Sequence, residues 1–305
     1  IQLKCPTSTT WNGTSWSNGL PAKDKQVAFT GNYTSSSSID ACSISVSGTA
    51  VVNFLANHDL NVRGGITVAP TAQLKFASNS NVYQIEEISN SGNIEVNRET
   101  SLKRLDYAGW SSPVTNQNLL AFSPNTLTNR FYEYIPTGTT TPTAYNSVNP
   151  TTNSFATGKG YLIRAENTMP STTTSWNGKF TGTPNNGRIN PNVIYGGSVG
   201  LGFNLVGNPY PSPINIHEFI KNCKVGIYKK VALKDVSFSN SMIEGNNRIL
   251  KQTYLKDKTL NFEELENYLD HAIDEYNNIK PHYFHKIYTP TEIYNRPELK
   301  NTKLY

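Results

Sequence analysis

The chain has 305 residues and a formal net charge of +5, long enough for two domains with a sizeable core in each. That charge is small for the length and spread along the chain, so charge alone does not argue for nucleic acid. No apolar run approaches the roughly 20 residues of a membrane span. The three cysteines, Cys5, Cys42 and Cys223, are too few for a disulfide framework. They leave open a single Cys5–Cys42 bridge in an exported protein or two buried free thiols. The chain begins at Ile1 rather than Met, which fits either a removed leader or a fragment.

The average composition hides a break. Residues 1–220 carry 13 Lys/Arg and 11 Asp/Glu, while the last 85 residues carry 14 and 11. Glycine is common before Asn208 and nearly absent after it. A step this sharp marks a domain boundary.

In the first part, short runs alternate apolar with small polar residues, as strands with one buried face do. They are Ser43-Ile44-Ser45-Val46, Val51-Val52-Asn53-Phe54-Leu55, Leu60-Asn61-Val62, Gly65-Ile66-Thr67-Val68, Leu74-Lys75-Phe76, Val82-Tyr83-Gln84-Ile85 and Asn93-Ile94-Glu95-Val96. Gly, Pro, Asn or Ser separates them. Their spacing of roughly ten residues suits a sandwich or a β-solenoid, and the lack of long loops over residues 40–98 favours the solenoid. Residues 1–104 are therefore read as β-rich and solenoid-like, and residues 105–213 as β-rich and sandwich-like. Asn12-Gly13, Asn18-Gly19, Asn177-Gly178 and Asn186-Gly187 each suit a tight hairpin turn.

Four segments of this part carry a resemblance: the opening Trp-Asn-Gly-x-x-Trp-Ser-Asn-Gly from Trp11, Tyr107-Ala108-Gly109-Trp110-Ser111-Ser112-Pro113-Val114, Gly158-Lys159-Gly160-Tyr161-Leu162-Ile163-Arg164, and Asn204-Leu205-Val206-Gly207-Asn208-Pro209-Tyr210-Pro211-Ser212. In this order they resemble large surface proteins exported by the type IX system of gliding bacteria. The resemblance covers nearly all of residues 10–213. It implies an extracellular, adhesin-like or matrix role, with cell-surface glycans or matrix as partners, and no known catalytic site. The residues themselves add little chemistry. Gly158-Lys159-Gly160 lacks the Gly-x-x-x-x-Gly-Lys-Ser/Thr of a phosphate cradle and reads as a turn. Trp110, Tyr107, Tyr132 and Tyr134 could stack on sugars, but aromatics dominate β cores and these are expected to fill one. Asp24, Asp40, Asp59 and Asp106 show no Ca²⁺-loop spacing.

From about residue 214 the period changes from two to 3.6. Phe262, Leu265, Leu269, Ala272, Ile273 and Tyr276 line one face of a helix that Asn261 can cap. A second helix is expected from about Ser241 to Tyr254, and Thr289-Pro290-Thr291-Glu292 reads as the start of another. His282 and His285 lack companions at metal-ligand spacing and are expected to pack or face solvent.

The stretch Ala232-Leu233-Lys234-Asp235-Val236-Ser237-Phe238-Ser239-Asn240-Ser241-Met242-Ile243-Glu244, then Asn247-Arg248-Ile249-Leu250-Lys251, Phe262-Glu263-Glu264-Leu265 and Tyr288-Thr289-Pro290-Thr291-Glu292-Ile293-Tyr294, is similar to the C-terminal end of the integrase core of DDE transposases. The resemblance covers roughly residues 215–297. It implies an RNase H-like parent fold, with DNA as partner and Glu244 as the third of three metal-binding carboxylates. Two Mg²⁺ ions clamping a phosphodiester need several oxygens. The family's second Asp would fall about 35 residues earlier, near Asn208, and nothing further back resembles the first. Glu244 is therefore expected to be vestigial, with no metal bound and Mg²⁺ relevant only to a complete site. Lys251 and Arg248 are the candidates for DNA phosphates, although Lys229, Lys230, Lys251, Lys256 and Lys258 alternate with acidic residues as a solvated face does.

The whole then reads as a mainly β, solenoid or sandwich region followed by a small α-helical tail, residues 214–305, derived from an RNase H-like integrase core. The β region points to secretion or the cell surface and the tail to the cytoplasm. The competing reading is a DNA-binding transposase-family protein. The chain should show no Mg²⁺- or Mn²⁺-dependent strand transfer or nicking on labelled transposon ends; activity that Glu244→Gln abolishes would refute this.

Overall fold

The computed structural model describes residues 5–135, 145–193 and 204–216, together with Phe219, Tyr268 and His271. The chain divides into two units, the first built on residues 1–224. Of the second, only Tyr268 and His271 are described, both helical and inside the stretch expected to form a helix from residue 261. The other expected helices, and Glu244, Arg248, Lys251, His282 and His285, lie outside the described residues.

The first unit is mostly β and begins as a solenoid. Its strands are β1 (Thr7–Trp11), β2 (Lys25–Phe29), β3 (Tyr33–Thr34), β4 (Ile39–Ala41), β5 (Ser43–Val46), β6 (Val51–Phe54), β7 (Leu60–Val62), β8 (Ile66–Val68), β9 (Gln73–Phe76), β10 (Val82–Gln84) and β11 (Ile94–Leu102). They form three parallel stacks, β1-β2-β5-β8, β3-β6-β9-β11 and β4-β7-β10. From β2 onward, successive strands of the chain lie on different faces, and each face is rebuilt one coil later. The register pairs Ile44 with Ile66, Val52 with Leu74 and Leu60 with Val82, a step of 22 residues.

Alternation within each short strand decides what goes inside. Val27, Ile44 and Ile66 form one inward ladder, and Ile39, Leu60 and Val82 another, all buried. On the third face Phe54 and Phe76 stack with ring centroids 5.0 Å apart and planes at 18°. The corners repeat as well. Asn57 and Asn79 take φ of 66° and 64°, a left-handed turn that Asn tolerates better than most residues, and the Asn57 N–H donates to the Asn79 carbonyl at 3.0 Å.

Cys5 and Cys42 are bridged, with Cα atoms 5.8 Å apart and a sequence separation of 37. The bond ties the leading strand to the start of the second coil. In the chain-entropy account a loop of this length contributes about 3–4 kcal/mol by restricting the unfolded state.

β11 joins the two β-rich stretches. Its first residues continue the parallel stack on β9, and its full length pairs antiparallel with β16 (Thr174–Gly182), from Ile94↔Gly182 to Leu102↔Thr174. Between β11 and β16 the chain makes β12 (Tyr107–Trp110), the four-residue helix α1 (Leu119–Phe122), β13 (Phe131–Tyr134), β14 (Tyr145–Ser147) and β15 (Tyr161–Arg164). The strands form an antiparallel sheet in the order β12-β15-β13-β14. Asn118 caps α1 by accepting from the Ala121 N–H at 2.9 Å.

An aromatic cluster fills the space between this sheet and β16. Phe122 stacks on Phe180 at 4.4 Å, and Trp110 lies 5.4 Å from Trp176 and 5.1 Å from Phe122. These residues belong to the same continuous core as the solenoid. The cluster explains one departure from the expected turns. Asn177-Gly178 lies in the middle of β16, paired with Glu99 and Arg98, and glycine serves packing there: a Cβ at Gly178 would come 2.9 Å from the Phe122 ring. Gly13, Gly19 and Gly187 do take positive φ, at 109°, 65° and 72°.

The expected aromatic core needs the same refinement. Trp110 is buried, but Tyr107 is 38% exposed, and Tyr132 and Tyr134 are half-buried. They alternate with Ala108 and Phe131, which take the inward positions. Helix in the described part of residues 40–200 is confined to α1 and the 3₁₀ turn Thr128–Arg130.

The fully buried Phe76 side chain packs in the middle of its stack. Phe76→Ala should cost about 3–5 kcal/mol, read as a lower denaturation midpoint in urea with an unchanged slope.

Candidate functional site

The first coil carries a hairpin that the strand pattern does not require. After β1, the Asn12 side chain accepts from Thr14 N, Thr14 Oγ1 and Ser15 N, each at 2.9 Å. This turn returns the chain so that Trp16 bridges antiparallel to Trp11. The two rings lie 5.3 Å apart, and Tyr33 of β3 lies 5.3 Å from Trp11 and 5.8 Å from Trp16. Phe29 backs the group at 5.5 Å from Trp16 and 5.1 Å from Tyr33. Trp11 Nε1 donates to the Asn32 carbonyl at 2.8 Å, which fixes the indole.

Polar contacts hold the neighbouring loop. Lys25 Nζ donates to the carbonyls of Asn18 and Leu20 at 2.6 and 2.9 Å, and Thr9 Oγ1 to the Gly19 carbonyl at 2.8 Å. The result is an open groove of about 580 Å³ whose lining includes Trp11, Trp16, Leu20, Tyr33, Ser37 and Asp40. This volume lies within the usual range for small-ligand sites. Leu20 is 73% exposed on its rim. Asp40 faces Lys23 at 4.0 Å, with both groups in contact with water, so their attraction is weak. Burial raises the Tyr33 phenol pKa, and hydrogen bonding with Ser36 partly opposes that.

Three aromatic rings beside hydroxyls and a carboxylate can hold a saccharide. The C–H face of a pyranose carries slight positive charge and meets the negative face of an aromatic ring, while Ser, Asn and Asp groups can bond its hydroxyls.

The sequence-level candidates fall elsewhere. Glu244, Arg248 and Lys251 are outside the described residues. Asn208, the position nearest the expected second Asp, serves a turn: its Oδ1 accepts from Tyr210 N at 3.0 Å and its Nδ2 donates to the Ser212 carbonyl at 2.7 Å. The following residues cover the open edge of β10, with the Pro211 carbonyl accepting from Val82 N at 3.0 Å and from Arg98 Nη2 at 3.1 Å. Gly158 takes φ of 75° in a turn, and Lys159 is paired with the Glu133 carboxylate. Among the described residues no three or more of His, Cys, Asp and Glu are gathered as a metal site would need. No helix among them is long and apolar enough to cross a membrane. Sequence reasoning passes over Tyr33, reads Trp16 only as part of the opening motif and Asp40 only as a scattered carboxylate; the available signal is a pair of tryptophans five apart across an Asn-Gly turn.

The fold is that of a disulfide-tied β-solenoid merged with a second β layer, bearing an aromatic groove on its first coil. A family model described as a domain of unknown function (DUF8693) matches residues 4–263, and the chain belongs to that family. No curated protein and no solved structure matches it.

The hairpin depends on a close backbone approach. A Cβ at Gly31 would sit 2.5 Å from the Asn12 oxygen and from the Gly13 nitrogen. Gly31→Ala should displace the hairpin and destabilise by about 1–3 kcal/mol, with a shifted tryptophan emission while the far-ultraviolet signal of the solenoid persists.

Proposed function

We propose that the chain is a non-enzymatic surface- or adhesion-type β module, holding saccharide in the Trp11/Trp16/Tyr33 groove, fused to a truncated and inactive DDE transposase-like tail. The aromatic groove is the observation that carries the binding role. The Cys5–Cys42 bridge supports the surface role, because disulfides persist in oxidising compartments and are rare in the cytosol. The order of the Trp-Asn-Gly, Tyr-x-x-Trp-Ser-Ser-Pro and Asn-Pro-Tyr-Pro segments supports the same reading through the resemblance to type IX-exported proteins. For the tail, Glu244 has an Asn rather than an Asp near the expected distance, and that Asn is engaged in a turn. The family match runs over residues 4–263 and so crosses the composition step near residue 213.

Neutral oligosaccharides should bind the full-length chain and quench its tryptophan fluorescence. Trp16→Ala should weaken that binding at least about tenfold, the size expected for loss of a stacking contact of about 1.5 kcal/mol. Absence of binding across a neutral-glycan array, or binding untouched by Trp16→Ala, overturns the groove. Specific binding to transposon-end DNA that depends on Lys251 and Arg248 would favour the transposase reading instead.

A further inference from the structure

The four-stranded sheet carries a second polar cluster that the fold leaves unsatisfied. Arg164 of β15 is paired across the sheet with Tyr107 of β12, and it is only 8% exposed. Arg130 immediately precedes β13, whose first residue, Phe131, pairs with Ile163. Arg130 therefore continues the register toward Arg164, and Tyr132, two residues further on, lies on the same face. The rings of Tyr107 and Tyr132 are 5.9 Å apart.

The hydrogen bonds of the cluster are few. Arg130 Nη1 donates to the Tyr132 hydroxyl at 3.2 Å, and Arg164 Nη2 donates to Asn167 Oδ1 at 3.4 Å. The Nε atoms of both arginines are buried with no partner. A buried guanidinium normally spends its planar fork of donors on a carboxylate. The carboxylates of this region are engaged elsewhere: Glu133 with Lys159, Glu166 with Asn125 and Asp106 with the Lys103 N–H. Both positive charges act on both phenols. The bond from Arg130 holds Tyr132 below its ordinary range, while burial raises Tyr107.

We propose that Arg130, Arg164, Tyr107 and Tyr132 bind the carboxylate of an acidic saccharide, a uronic acid unit. A carboxylate seated beside the exposed Tyr107 ring would supply, through the field of both guanidinium groups, the negative charge that no described carboxylate gives them. The sugar ring would lie along the tyrosines, of which Tyr107 is 38% exposed. The aromatic surface continues across β13 and β14, where Tyr134 and Tyr145 are 5.4 Å apart. The choice of a saccharide as the carrier of the anion rests on the surface-module reading; the anion site itself does not depend on the Trp11/Trp16/Tyr33 groove.

Calorimetric titration of the full-length chain with a galacturonate trisaccharide, the neutral galactose trisaccharide and inorganic sulfate tests this. The uronide should bind, and Arg130→Gln should weaken it about tenfold or more, as loss of a charge-assisted hydrogen bond does. Arg164→Gln should do the same if it folds; because Arg164 is buried, Arg130→Gln and Tyr107→Ala carry the test independently. Uronide affinity retained in Trp16→Ala separates this site from the groove. Equal affinity for the neutral trisaccharide, unchanged affinity in Arg130→Gln, sulfate bound as tightly as the uronide, or no binding of the uronide would each overturn the proposal.

Discussion

The solenoid depends on stacking like positions of successive coils, 22 residues apart in its middle coils. A three- or four-residue strand cannot bury enough apolar surface to hold itself, and a single coil of three such strands has two raw edges on every face. Stacking in register answers both problems. Each inward Val, Ile, Leu or Phe is covered above and below by its counterpart, and each strand finds ladder partners in the next coil. The corners obey the same rule. Asn57 and Asn79 adopt the same left-handed turn one coil apart, and Ser35, His58 and Ser80 are linked by side-chain bonds at equivalent positions of successive coils.

Stacking solves the interior and moves the difficulty to the ends. At the first coil the edge strands β1, β3 and β4 have no preceding coil, and the aromatic hairpin of Trp11 and Trp16 packs beside them. At the far end β11 outgrows its parallel partner and continues as a nine-residue strand that β16 completes in the opposite direction. The short β10 is covered by Pro211, which Asn208 and Tyr210 position through their own turn and through the Tyr210 hydroxyl on the Gly187 carbonyl. The side chains with chemistry to offer lie where the repeat stops. The groove forms where the first coil is capped, and the arginine–tyrosine cluster lies on the sheet inserted between β11 and β16. The coils between them are committed to their own interior.

The two surfaces have different chemical characters. The groove is aromatic with hydroxyls and a carboxylate exchanging with water, and Asp40 makes only a distant contact with Lys23. Such a surface suits a neutral, hydroxyl-rich ligand held by ring faces. The sheet face places two positive charges beside phenols with no carboxylate among the described residues bonded to them. That arrangement is costly to bury and gains most from an anionic partner.

Local features of the sequence were enough for the strands of the solenoid. Alternation placed β5 to β11 to within a residue or two at their starts, and the absence of long connections favoured a solenoid over a sandwich for residues 40–98. That reading works because each strand's buried face is written into its own residues with period two. Pairing was not visible in this way. Asn177-Gly178 has the chemistry of a turn, yet it runs straight through β16 paired with β11, and its missing Cβ leaves room for the Phe122 ring. Cys5 and Cys42 admitted a bridge or two free thiols until the coils brought their Cα atoms to 5.8 Å. Tyr107 and Tyr132 looked like core residues until the sheet put Ala108 and Phe131 inward in their place. Trp16, Tyr33 and Asp40 became one groove, and Arg130 and Arg164 one cluster, only when strands distant in the chain were set side by side. A residue's own neighbours determine which way it faces along a strand; what it faces is decided by the register between strands, and register is a property of the whole stack.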